Sequence, residues 1–248
     1  MTEIFNTQYN VALSDVDCFN RLKISAFMNY MQDAASRHAD LLGVGYETLI
    51  KQDLTWFMTK VIVEVDSYPS FGEDIHIETW PKTVDKLTST RDFVIRNDSG
   101  DVIARATTIW AMLNMATKRP ERLEEYVPMI TPDMQKSAID EKPGRINLPE
   151  VGFSDSKDFV VPFSAIDYNQ HLNNARYFDF ILDMFDQDYH EHHVIRRVQL
   201  NFLHEVKCSE HLYIRMTTPE NGHCLLEADK HTGATDKQPV FHASVIWK

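Results

Sequence analysis

DYNQHLNNARYFDFILD, residues 167–183, and DCFNRLKISAFMNYMQD, residues 17–33, stand 150 positions apart and share one pattern. Asp167 falls on Asp17, Leu172 on Leu22 and Asp183 on Asp33, with Tyr177 and Phe178 over Phe27 and Met28. Further along the spacing becomes 137: EDIHIET from Glu73 lies over EHLYIRM from Glu210, and ARATTIW ending at Trp110 over FHASVIW ending at Trp247. Matches that keep their order mark an internal duplication. The difference between 150 and 137 implies that the second copy lacks 13 residues, expected between its helix and its next strand.

Each copy reads alike. A short apolar strand (YNVALS, FVVPFS) leads through a polar turn into a helix. Ile24, Phe27, Met28, Met31 and Ala35 form one 3.6-residue stripe, and Leu172, Ala175, Phe178, Leu182 and Phe185 the other; both are expected in a core. Two-residue alternation follows in WFMTKVIVEV, DIHIETW, LTSTRDFVIR and VIARATTIWAML, then in VIRRVQLNFL, HLYIRM, HCLLEADKH and VFHASVIW. Asn97 to Gly100 supplies a hairpin turn. The expectation is α+β: two tandem units, each a long antiparallel sheet wrapped around a central helix, together mimicking a symmetric dimer. Pro120, Pro128, Pro132, Pro143 and Pro149 gather between them, so the units are set at 1–118 and 156–248, with 119–155 a linker.

With 43% hydrophobic and 25% charged residues, the chain has globular rather than disordered composition. A net charge of −12 argues against broad nucleic-acid binding, which needs a basic footprint. The opening MTEIFNTQYN shows no basic-then-apolar leader, and no apolar run nears the roughly 20 residues that span a bilayer. Cys18, Cys208 and Cys224 are too scattered for a disulfide framework or zinc site; three reduced thiols and a cytoplasmic setting are expected, with Cys208 buried or inert. HEHH at 190–193 is expected in a solvated loop, without metal or cofactor.

Asp167, Asn169 and His171 stand two apart. If that segment is extended, the three side chains share a face. Asn173 and Asn174 follow as candidate N-caps. Backbone amides left free at the helix start would suit a developing oxyanion.

Asp-x-Asn-x-His-x-Asn-Asn-x-x-Tyr from Asp167, ETWPKT from Glu78, IWAMLNMATKRP from Ile109 and NFLHE ending at Glu205 occur in an order that resembles the acyl-acyl carrier protein (acyl-ACP) thioesterases of bacteria and plants, which are double-hotdog proteins. The resemblance covers nearly the whole chain. It implies hydrolysis of the thioester of a fatty acyl chain carried on the phosphopantetheine of acyl carrier protein. It also implies catalytic positions at Asp167, Asn169, His171 and Glu205, the base being Glu205 or Asp167. A cysteine follows the glutamate in plant members; Val206 stands there here, which disfavours a thiol mechanism. The first copy has Phe19, Arg21 and Tyr68 at the matching places and is expected to bind rather than cut. Its longer connection from Leu41 to Thr55 is expected to help wall an acyl tunnel, with Met28, Met31 and Trp56 as tail contacts. Arg196 and Arg197, or else Lys118 and Arg119, are candidates for the phosphate or the acidic carrier. The rival functions are an acyl-CoA thioesterase and a non-catalytic acyl-binding protein, and the chain is expected to be a monomer or homodimer.

Overall fold

A computed structural model describes residues 4–126, 129–130, 132–231 and 236–248; Pro128 lies outside them. The chain forms two compact units, Met1–Pro143 and Gly144–Lys248. The first contains β1 (Phe5–Asn10), α1 (Ile24–Leu41), α2 (Tyr46–Leu49), β2 (Leu54–Val65), β3 (Asp74–Val84), β4 (Thr88–Asn97), β5 (Val102–Asn114) and the short β6 (Arg119–Pro120). Its antiparallel sheet runs β1-β3-β4-β5-β2, with β6 added to β5. The second contains β7 (Phe153–Val160), α3 (Arg176–Leu182), α4 (Gln187–His192), β8 (Ile195–Phe202), β9 (His211–Thr217), β10 (His223–His231) and β11 (Lys237–Trp247). Its sheet runs β7-β9-β10-β11-β8, the same order strand for strand.

Patterning explains most of this. The stripe on α1 is buried throughout, from Ile24 and Phe27 to Met31 and Ala35. Each large apolar side chain so covered contributes roughly 1.5–3 kcal/mol. In β10 the alternation buries Cys224, Leu226, Ala228 and, unusually, Lys230. Gly100, at φ 86°, closes the expected β4–β5 hairpin by donating its N–H to the Asn97 carbonyl at 2.9 Å. A glycine carries that left-handed angle without steric cost.

Four expectations need correction or adjustment. The leading strands sit earlier than the apolar stretches suggested: β1 ends at Asn10 and β7 at Val160, while Leu13–Asp15 and Phe163–Ala165 are single 3-10 turns. Val11 and Val161 are apolar because each is buried at the strand's end, and Pro162, lacking an N–H, cannot extend β7. The second copy's shortening lies largely in the helix itself, 18 residues in α1 against 7 in α3. Residues 42–53 and 183–194 then lead to β2 and β8, so the first unit's connection is not the longer one. HEHH belongs to the helical turn of α4 and its cap, because the Asp186 carboxylate accepts the Tyr189 N–H at 2.8 Å and starts a helix there.

The proline-rich stretch is packed rather than strung between units. Leu123 is fully buried with Leu49, Leu54 and Met112. Lys136 bonds Glu78 at 2.7 Å, and the Ala138 N–H bonds the buried Asp92 carboxylate at 2.7 Å. Residues 119–143 therefore go with the first unit, whereas Gly144 accepts hydrogen bonds from Gln199 and Asn201 in the second. No helix among the described residues is long and apolar enough to cross a membrane.

Candidate active site

Asp167 to His171 do not run extended. Ile166 and Leu172 form an isolated antiparallel bridge, and the chain between them is a tight loop built on Asp167. Asp167 donates its N–H to the His171 carbonyl at 2.8 Å, and its own carbonyl accepts the Gln170 N–H at 3.0 Å. Its Oδ1 collects the amides of Asn169 at 2.9 Å and His171 at 3.4 Å. Gln170 takes a left-handed φ of 65° to turn the corner. An aspartate gathering amides two and four residues on produces the same spacing as a strand face, which is why the sequence read as extended. Burial pushes the Asp167 carboxyl above the usual carboxylate range, and the two amides and His171 pull it back.

The helix start also differs from expectation. Asn173 Oδ1 accepts the Ala175 N–H at 2.8 Å, and the Asn173 carbonyl accepts the Arg176 N–H at 2.9 Å. Asn173 thus caps the turn ahead of α3, and the Ala175 and Arg176 amides, two of those expected to be free for an oxyanion, are engaged. The Asn169 carboxamide, in contrast, is exposed and has no protein partner among the described residues.

Glu205 arrives on residues 203–210, after β8. Val206, fully buried, accepts the Leu172 N–H at 2.7 Å and so joins this loop directly to the Asp167 turn. Leu203 bonds Val240 at 2.8 Å, and Ser209 bonds Val161 at 2.9 Å. Held in this way, Glu205 Oε2 meets His171 Nε2 at 3.0 Å, with the imidazole 23% and the carboxylate 41% exposed. The pair is therefore wet at its rim and shielded at its base. Tyr177 is buried, edge-on to Phe202 and Phe241, and feels the charge of Asp167 and Glu205. Burial, reinforced by Asp167, Glu205 and Glu210, raises its phenol above the ordinary value. Tyr177 closes the sequence motif, and the structure shows it buried in the core beside it.

All four expected positions are thus linked through one hydrogen-bonded set, Asp167 with Asn169 and His171 through backbone amides and His171 with Glu205 through side chains. The remaining candidates are elsewhere. Met28 and Met31 are buried on α1. Trp56 donates its indole N–H to the Val44 carbonyl at 2.9 Å and packs on the Leu49 cluster. Arg196 and Arg197 are successive β8 residues at a bulge, where Arg197 pairs with Ile246 and Ile195 with Trp247; Arg196 is exposed and Arg197 half-buried, each with an interaction partner. Cys208, expected to be buried or inert, is exposed, and its sulfur touches Ser209 Oγ at 3.6 Å. In HEHH, His190, His192 and His193 each meet a backbone carbonyl. No group of three metal-binding side chains occurs among the described residues.

Two family signatures match in tandem. The acyl-ACP thioesterase N-terminal domain matches residues 2–130, and the acyl-ACP thioesterase C-terminal domain residues 150–247. The chain belongs to the acyl-ACP thioesterase family. A crystal structure of an acyl-ACP thioesterase from Bacteroides thetaiotaomicron superposes with a TM-score of 0.88 at 26% identity, covering 99% of this chain and 98% of that one. The 12:0-ACP thioesterase from Umbellularia californica shares the fold, with a TM-score of 0.85 at 22% identity over 99% and 97% of the two chains. The chloroplastic palmitoyl-acyl carrier protein thioesterase of Gossypium hirsutum is 27% identical over 222 residues, 82% of this chain and 52% of that protein. The chain thus spans about half the length of the curated relatives it matches.

Proposed function

We propose that this acyl-ACP thioesterase family member hydrolyses the thioester joining a fatty acyl chain to acyl carrier protein, with Glu205 as general base. The supporting observation is the His171–Glu205 contact of 3.0 Å, locked to the Asp167 turn through Leu172 and Val206. Asp167 and Glu205 were equal candidates for the base, and their surroundings separate them. Asp167 has an oxygen committed to two backbone amides. Glu205 is half-exposed, and its Oε1 has no hydrogen-bond partner among the described residues, leaving it open to water. In the reaction, a water O–H bond breaks as its proton passes to Glu205, and the water oxygen bonds the thioester carbon. In this reading the exposed Asn169 carboxamide donates to the resulting oxyanion. Collapse breaks the C–S bond, and the thiolate takes the proton back from Glu205, releasing free acid and carrier thiol. His171 holds the carboxylate in line. A thiolate leaves readily, so no strong acid is required.

The first unit is read as the acyl-binding half, with Met28, Met31 and Trp56 toward the tail and Arg196 or Arg197 of the second unit toward the phosphate. The three cysteines are free, which suits a reducing, cytoplasmic setting. The test is a panel of matched acyl-ACP and acyl-CoA thioesters across chain lengths, with the wild type and Glu205→Gln. Preference for the carrier protein is expected, together with a fall in kcat of about 100-fold to 10,000-fold in the variant. Preference for CoA would move the assignment to an acyl-CoA thioesterase, and no turnover of any thioester would leave an acyl-binding protein.

A further inference from the structure

Lys230 is the one lysine that the strand alternation places on the apolar face of β10, and it is only 7% exposed. A buried ammonium must be paired. Its Nζ donates to the Glu205 backbone carbonyl at 2.6 Å and to Glu210 Oε1 and Oε2 at 3.3 and 3.0 Å. Glu210 Oε2 in turn accepts the Lys207 N–H at 2.7 Å. The ammonium therefore grips the loop at Glu205 and, through Glu210, at Lys207.

The first unit shows what this grip adds. There Glu73 matches Glu210: its Oε2 accepts the Ser70 N–H at 3.0 Å, and its carbonyl accepts the Val11 N–H at 2.9 Å. The loop is thus built without a lysine, and Glu73 forms no ion pair among the described residues. Holding the loop does not need the ammonium. Two contacts of the ammonium have no counterpart there, the Glu210 ion pair and the bond to the Glu205 carbonyl, and only the second touches the residue that carries the carboxylate.

We propose that Lys230 is a positioning residue for Glu205, fixing its backbone so that the carboxylate stays against His171, with Glu210 holding the ammonium in place. This rests on Glu205 acting as the base. Lys230→Met keeps the stem and removes the charge. A displacement of about 1 Å in a reacting group is enough to cost about 100-fold in rate. A kcat loss of that order with KM little changed is expected, with Lys230→Arg recovering part of it.

Coupling decides the matter. In a Glu205→Gln background, Lys230→Met should slow the residual reaction no further, because the carboxylate it positions is already gone. An equal loss in both backgrounds, or unchanged kcat in the single variant, would overturn the proposal. Full turnover in Glu205→Gln alone would instead overturn the base assignment beneath it. Should Lys230→Met not fold, Glu210→Gln serves in the same cycle: a smaller kcat loss confined to the Glu205 background supports the proposal, and a background-independent one refutes it.

Discussion

The two units repeat one another down to single hydrogen bonds, yet among the described residues only the second sets an imidazole of this turn against a carboxylate. The Asp17 and Asp167 N–H groups each donate to the carbonyl four residues on, at 2.8 Å. Asn20 and Gln170 take the same left-handed corner, at φ 59° and 65°. Leu22 bonds Pro69 at 2.8 Å where Leu172 bonds Val206 at 2.7 Å. On this common frame the side chains diverge. Arg21 stands for His171 and grips Asp17 Oδ2 through both Nε and Nη2 at 2.9 Å, with its guanidinium 4.6 Å from the centre of the Phe19 ring. Tyr68 stands for Glu205, and burial raises its phenol. The first turn thus neutralises its own aspartate, whereas the second leaves its imidazole to a carboxylate. A duplicated scaffold thus keeps its backbone while three changed side chains give its turn different partners.

Writing the first unit's residue into the second should have the largest effect. His171→Arg is expected to pair with Asp167, preserve the fold and lower kcat at least about 100-fold, as loss of a general acid–base partner does. Steady-state assay beside a melting curve checks both halves of that statement; substantial retained turnover would show that the His171–Glu205 contact is incidental.

Next in size is the shared aspartate. Asp17→Ala and Asp167→Ala each remove charge-assisted bonds to backbone amides, worth about 1.5–3 kcal/mol apiece. Both should lower Tm measurably, but only Asp167→Ala should also depress kcat in the fraction that remains folded. Loss of turnover per folded molecule in Asp17→Ala would mean that the first unit takes part in the chemistry.

A smaller effect separates the units by pH. His38, in the part of α1 that α3 lacks, is buried with its Nδ1 3.0 Å from Arg91 Nη1, and burial first, then the guanidinium, lower its pKa to about 4. Because the folded state resists protonation, the unfolded chain binds the extra proton as pH falls from the ordinary histidine value near 6.5 toward 4. Stability from a neutral His38 is therefore complete above that window and lost progressively through it. His38→Gln should flatten the Tm profile between these limits, and an unchanged slope would assign the acid sensitivity elsewhere.

Least is expected of Val206→Cys. Val206 is fully buried and its carbonyl, not its side chain, serves the site, so a thiol there should leave turnover near wild type. A large gain in rate, abolished by alkylation, would restore a thiol mechanism.

Much of this was legible beforehand because period-2 and period-3.6 patterns report burial directly. Eight alternating stretches match the eight long strands after the helices, and the α1 stripe is buried along its length. Where legibility failed, one local pattern had two physical solutions. Asp-x-Asn-x-His fits a strand face and an aspartate-centred turn equally well. The prolines from 120 to 149 suit a free linker and a packed strap alike; partners in the first unit for Leu123, Lys136 and Ala138 decide between them. Lys230 did leave a signal, a lysine in phase with Cys224, Leu226 and Ala228, but a charge on an apolar face means little until its acceptors are known.

Alone, the string of residues settled what depends on neighbours along the chain: the repeat, the strand and helix periods, and the placing of an acid, an amide and an imidazole on one short segment. Only tertiary structure could bring Glu205 against His171, 34 positions away, or turn a β10 lysine onto a loop carbonyl. Those contacts are set by how separate elements close around a shared core, and no period along a chain encodes the distance between two elements that meet only after folding.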